Sequence, residues 1–141
     1  MAGAAKARLG TGAKLRLAAV TWLEYVRVIA RFRGVSLPDL VRALESPDGG
    51  RLAPLEPRRL GKLVHRFLNQ GPFRPRCLTM SLVLFRLLVR QGTTAQLVVG
   101  LPPEPTDTDA HAWVEVDGRD VGPPPGRMGH EEMARYGGEG S

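Results

Sequence analysis

Cys77 is the only cysteine among 141 residues, and it heads a run whose apolar residues Leu78, Leu82, Phe85 and Val89 recur at helical spacing. Ser81 and Leu88 fill the flanks of that stripe, while Arg86 and Arg90 fall on the other side. Pro75 ahead of the run and Gly92 behind it bound the helix. A thiol in the first helical turn meets unpaired backbone N–H groups and the positive end of the helix dipole, which lower its pKa from about 8.5 into a range of roughly 3.5–7.5. Cys77 is therefore placed to be a thiolate, and so a nucleophile, at neutral pH. His111 follows 34 residues on (111 − 77 = 34) and opens Ala110-His111-Ala112-Trp113-Val114-Glu115-Val116-Asp117-Gly118, which reads as a strand entering a two-residue hairpin turn. A lone free cysteine is more often a buried structural thiol, and a lone strand histidine an ordinary one. Together, the first at a helix start and the second at a strand start, they fit a cysteine nucleophile with its general base.

The rest of the chain has to position that pair. Lys14 to about Phe32 reads as a helix, with one stripe of Leu15, Ala19, Trp22, Val26 and Ile29 and with Arg16, Glu24, Arg27 and Arg31 off it. Leu17, Val20, Leu23 and Val28 add a second apolar strip, available to the core or to a partner protein. Ser36 is a good N-cap for a short helix from Leu37 to Glu45, and Pro57 starts a third helix to about Asn69, with Leu60, Leu63, Val64, Phe67 and Leu68 inward and His65 on the surface. Thr94 to Gly100 suits a buried strand, and the Pro- and acid-rich run from Leu101 to Ala110 returns the chain to His111 as a loop rimming the site. Two strands plus a short return after Asp117-Gly118 make a small antiparallel sheet beside the helices. Gly122-Pro123-Pro124-Pro125-Gly126 ends that sheet. Beyond it we expect a mobile tail with one weak helical turn around Glu131 to Arg135 and His130 as a surface residue. The expected organisation is a disordered N-terminus over 1–13, a helical region over 14–70, a catalytic core over 71–122 and a flexible tail over 123–141.

Composition narrows the function. Residues 1–70 carry 13 Lys/Arg against 5 Asp/Glu, a balance of +8, while residues 71–141 carry 7 against 9, a balance of −2. The positive charge lies ahead of the Cys77 region. Aromatics are few and not interleaved with the basic residues, which argues against nucleic-acid binding. Leu17 to Leu23 is too short and too closely flanked by charge for a signal peptide core or a membrane span. One cysteine and three scattered histidines show no metal-ligand spacing, and there is no phosphate-binding loop, so no metal or other cofactor is expected.

Cys77 through Gly92, then Ala95-Gln-Leu-Val-Val-Gly100, then His111-Ala-Trp-Val-Glu-Val-Asp-Gly118, together resemble the lasso-peptide leader peptidase family over residues 72 to about 122. The resemblance implies an α+β, transglutaminase-like or papain-like fold: N-terminal helices, and a cysteine-bearing helix packed on a small antiparallel sheet. It also implies a cysteine protease of the bacterial cytoplasm that removes the leader from a ribosomally made lasso precursor, with Cys77 as nucleophile and His111 as base. The implied partners are the precursor's leader region, a separate leader-recognition protein and the ATP-dependent cyclase that closes the ring. The chain starts too near its catalytic region to hold the leader-recognition domain itself, so the basic helices ahead of residue 70 are the expected docking surface.

The third member of a triad departs from the family pattern. Relatives usually carry an acid about a dozen residues beyond the histidine, and here that place falls in Gly122-Pro123-Pro124. With a two-residue turn at Asp117-Gly118, Glu115 pairs with Asp120 and His111 with Pro124, leaving Asp120 roughly 13 Å along the strand from His111 at about 3.3 Å per residue. The options are a loop carboxylate such as Asp109, a backbone carbonyl, or a dyad. A non-catalytic peptide-binding scaffold of the same fold, and acyl transfer to an amine rather than to water, are the competing functions.

Overall fold

A computed structural model describes residues 10–45, 52, 54–69, 77–101, 111–122 and 131–137. Among the described residues four helices precede four strands: α1 (Thr11–Phe32), α2 (Leu37–Leu44), α3 (Pro57–Asn69), α4 (Cys77–Arg90), β1 (Gln96–Leu101), β2 (His111–Val116), β3 (Arg119–Gly122) and β4 (Glu131–Tyr136). The strands form one antiparallel sheet in the order β3-β2-β1-β4. Among the described residues no helix is long and apolar enough to cross a membrane.

Local chemistry explains the helix boundaries. Ser36 Oγ accepts the Asp39 N–H at 3.4 Å and Pro38 occupies the first turn of α2. Glu56 caps α3 by accepting the Arg59 N–H at 2.8 Å. α4 stops at Gly92, whose φ of 86° opens the left-handed conformation. The Thr93 N–H then donates to Leu88 O at 2.9 Å and the Gly92 N–H to Val89 O at 3.0 Å, the paired bonds of a Schellman ending. The side-chain amide of Gln91 next pins the segment leading into α3, accepting the Leu55 N–H at 3.1 Å and donating to Leu55 O at 2.9 Å.

α4 is the centre of the molecule. Every residue from Met80 to Leu88 is buried, so this helix is covered on all sides rather than on one stripe. Leu82, Leu84, Phe85 and Leu88 join Leu97, Ala112, Val114 and Val121 from the sheet and Val28, Leu40, Leu44, Leu60, Val64 and Leu68 from the other helices in a single core. α3 reaches the sheet closely enough that a Cβ at Gly61 would overlap the Val121 carbonyl oxygen. Only glycine fits that crossing.

Three expectations need correction. Arg86 does not lie on an outer face of α4, because it is 3% exposed and held against Glu24 and the Leu44 carbonyl. α1 is rotated accordingly. Its inward residues include Leu17, Thr21, Glu24 and Val28, while Leu15 and Val26 of the expected core stripe are 67% and 59% exposed. Leu17, Val20 and Val28 of the second apolar strip, with Trp22 of the first, are the residues that pack on the core, and the Glu24 carboxylate lies among them. Finally, Glu131–Tyr136 is a strand paired with β1, not a helical turn. β1 has an edge left open by β2, and pairing with it outweighs the local preference of Glu, Met, Ala and Arg for helix.

α1 begins at Thr11, three residues before the expected Lys14, and residues 1–9 lie outside the described part of the chain. So do residues 102–110, including Asp109, and residues 123–130, including His130. The hairpin matches its sequence signature, with Asp117 at φ 53° and Gly118 at φ 77° and Glu115 opposite Asp120. A bulge between Val114 and Glu115 sets Gly122 opposite Val114. Uninterrupted pairing would have placed Val121 there. The extrapolated pairing of His111 with Pro124 therefore does not follow, and Pro124 is among the undescribed residues.

Candidate active site

Cys77 is the first residue of α4 and His111 the first residue of β2. Their side chains lie outside the described part of the structure. Their backbones do not, and the elements that carry them meet one turn and one residue away. The Ser81 hydroxyl, fully buried, donates to the Ala112 carbonyl at 3.0 Å. Ser81 is four residues after Cys77, on the same side of the helix, and Ala112 follows His111.

The helix also advances in the same direction as the strand. Ser81 meets Ala112 near the start of β2, while Phe85, four residues on, packs under Gly137, where a Cβ would come within 2.8 Å of its ring. Gly137 O accepts from Gln96, the residue paired with Glu115 further along β2. Going back one turn from Ser81, about 6 Å at 1.5 Å per residue, carries the helix toward the end of the sheet where His111 sits. The amino end of α4, with its helix-terminal N–H groups, is thereby directed at the start of the histidine strand.

From the opposite side α4 is locked by charge. Arg86 Nε donates to Glu24 Oε2 at 3.2 Å, Arg90 Nη1 to the same oxygen at 3.1 Å, and Arg86 Nη1 to Leu44 O at 2.8 Å; Arg27 approaches Glu24 Oε1 at 3.9 Å. α1, the end of α2 and α4 share this network. In the sequence Glu24 falls off the Leu15–Ile29 stripe but lies seven residues after Leu17 and four before Val28 of the second strip, and that face is the inward one.

Asp120 bonds within its own strand. Its Oδ1 accepts the Gly122 N–H at 2.8 Å, and β3 ends opposite Val114, so its described part does not extend alongside His111. On the other side of β2, His111 pairs with Gly100 of β1, and Gly100 pairs with Glu132 of β4. Arg135 gathers the acids of this region. It reaches Glu132 Oε1 at 2.6 Å and Glu132 Oε2 at 3.2 Å, Glu115 Oε1 at 2.8 Å and Gln96 Oε1 at 2.7 Å. The hydrogen bonds from Arg135 hold the Glu132 carboxyl below the usual carboxylate pKa, while those from Glu132 and then Glu115 push the guanidinium further up. His65 stands apart from all of this, beside Asn69 on α3. Among the described residues no three His, Cys, Asp or Glu side chains are grouped to hold a metal ion.

A central helix with cysteine as its first residue, packed on a small antiparallel sheet whose second strand begins with histidine, is the layout of a papain-like α+β fold. The sequence comparison agrees: the family model of the transglutaminase-like superfamily matches residues 17–134, and the chain belongs to that superfamily. Its members include cysteine proteases and transglutaminases. The match begins within α1 and ends within β4, so it takes in the helical region and the last strand. No curated protein and no solved structure matched the chain.

Proposed function

We propose that this chain is a cysteine peptidase that removes the leader from a lasso-peptide precursor. The observation that carries the proposal is the Ser81 to Ala112 hydrogen bond, which joins the helix headed by Cys77 to the strand headed by His111. In the reaction the Cys77 thiolate attacks the carbonyl carbon at the leader junction and a C–S bond forms. His111, having taken the thiol proton, returns it to the departing amine as the C–N bond breaks. Water then attacks the thioester with His111 as base, releasing the leader acid and restoring the thiolate. The backbone N–H groups at the head of α4 are suited to stabilise the oxyanion.

The precursor's leader is delivered by a separate leader-recognition protein, and an ATP-dependent cyclase uses the amine this step frees, in the bacterial cytoplasm. The docking surface is the outward face of α1, where exposed Leu15, Leu23 and Val26 lie beside Arg16, Arg27 and Arg31. A second reading, a peptide-binding scaffold of the same fold without hydrolysis, draws on the local engagement of Asp120. Acyl transfer to an amine would use the same two residues.

Incubation with precursor and leader-binding protein, read by mass, separates these. Cleavage at the junction is expected for the native chain. Cys77→Ala should abolish it, His111→Ala should slow it by about 10²–10⁴-fold, and Asp120→Ala should change it little. Cleavage surviving Cys77→Ala would refute the assignment, an inert native chain would favour the scaffold, and an amine adduct in place of the acid would favour acyl transfer.

A further inference from the structure

The cross-strand register puts three positions of β2, β1 and β4 in one row: His111, Gly100 and Glu132. Two features of the sheet make that row unusual. The first is the irregularity in the β1–β4 ladder between Val99 and Gly100. Val99 pairs with Ala134, so an unbroken ladder would set Met133 opposite Gly100 and turn Glu132 to the other face. The extra residue instead brings Glu132 opposite Gly100, and bulges characteristically re-aim a side chain in this way. The bond from Arg135 to Glu132, three residues apart yet on one face, is the atomic consequence. Arg135 pairs with Val98, and Val98 with Trp113, in the next row along the same face.

The second feature is the glycine in the middle. Strands two apart are separated by about 10 Å, a span that an imidazole and a glutamate can close only if nothing stands between them. Gly100 has no side chain.

We propose that Glu132 is the positioning residue for His111, supplying from β4 the carboxylate that relatives carry beyond the hairpin. The proposal rests on His111 being the base. In it, the Cys77 thiol proton passes to the imidazole, and Glu132 fixes the ring's tautomer and stabilises the imidazolium without itself taking the proton. Its pairing with Arg135 suits that task. The guanidinium favours the ionised carboxylate and anchors it, and the remaining lone pairs stay available to the ring. The charged groups on this face of the described sheet are Glu132, Arg135 and Glu115, with Gln96 beside them and Asp120 opposite Glu115 on β3, toward the other end of β2 from His111.

The test is the ¹H NMR titration of the three histidines, His65, His111 and His130, with His111 assigned by its loss in His111→Ala. A nearby carboxylate raises an imidazole pKa, so Glu132→Gln should lower that of His111 by about 1 unit or more and leave His65 unmoved. Arg135→Gln, which removes the competing cation, should raise it. Glu132→Asp, one methylene shorter, should fall between native and Glu132→Gln. A His111 pKa equal in the native chain and in Glu132→Gln overturns the proposal, whatever the activity. The titration needs no substrate, so the two readings fail separately: a His111 shift in a chain that cleaves nothing sinks the peptidase alone, and cleavage without the shift sinks Glu132 alone.

Discussion

Glu24 and Arg86 stand 62 residues apart in sequence and meet at 3.2 Å in the core, both almost without solvent contact. Arg90 approaches the same carboxylate oxygen. Among the described contacts, one carboxylate oxygen thus serves two buried guanidinium groups. Removing one partner of a buried pair leaves its charge uncompensated, at a cost of about 3–5 kcal/mol. Glu24→Gln, which keeps the shape and deletes the charge, should lower the urea midpoint correspondingly. A loss within about 0.5 kcal/mol, the range of ordinary surface changes, would show that the network contributes nothing to stability.

The Ser81 hydroxyl should matter to the thiol as well as to the fold. Ser81→Ala deletes a buried hydrogen bond with a net contribution of about 0.5–1.5 kcal/mol. It also frees the head of α4 from the start of β2. Iodoacetamide rates against pH should give Cys77 an apparent pKa below about 7.5 in the native chain, and a higher one in Ser81→Ala. A native value near the unperturbed 8.5 or so would remove the case for an activated thiol.

Gly61 offers a test by sign. In an ordinary helix interior, Gly to Ala stabilises by roughly 0.5–1 kcal/mol. Here the added methyl would run into the Val121 backbone, so Gly61→Ala should destabilise by about 1–3 kcal/mol, the usual cost of overpacking. A gain in stability would mean that α3 and β3 are not in such close contact.

If the outward face of α1 is where the leader-binding protein docks, Val26→Glu with Arg31→Glu should weaken that association and leave the folded chain intact, since both residues are exposed. Size-exclusion binding assays with the partner, and separately with a nucleic-acid duplex, give the answer. Unchanged partner binding together with lost duplex binding would reassign the surface.

The helices were legible because their signals are local: Ser36 as a cap, Pro57 at an entry, Gly92 at an exit and Asp117-Gly118 in a tight turn each act within a few residues. The head of the cysteine helix and the head of the histidine strand were legible for the same reason. What escaped depends on distant partners. Glu24 is inside because Arg86 and Arg90 are there, and Leu15 and Val26 are outside because that face was taken. The Glu131–Tyr136 strand exists because β1 offers an edge, a fact absent from those six residues. Glu132 could have been suspected only by knowing the bulge, which no residue type near it announces.

That last strand also sets an order of events. β1 is made 35 residues before the strand that covers its second edge (131 − 96 = 35), so on the ribosome a run of Leu97, Val98 and Val99 must wait with its hydrogen-bonding groups open. An edge of that kind invites a neighbouring nascent chain. A stop codon or a protease cut between β3 and β4 would leave Cys77 and His111 on one fragment, yet would make that fragment a seed for intermolecular pairing. The shortest product expected to keep β1 paired on both edges is therefore one that runs through Tyr136.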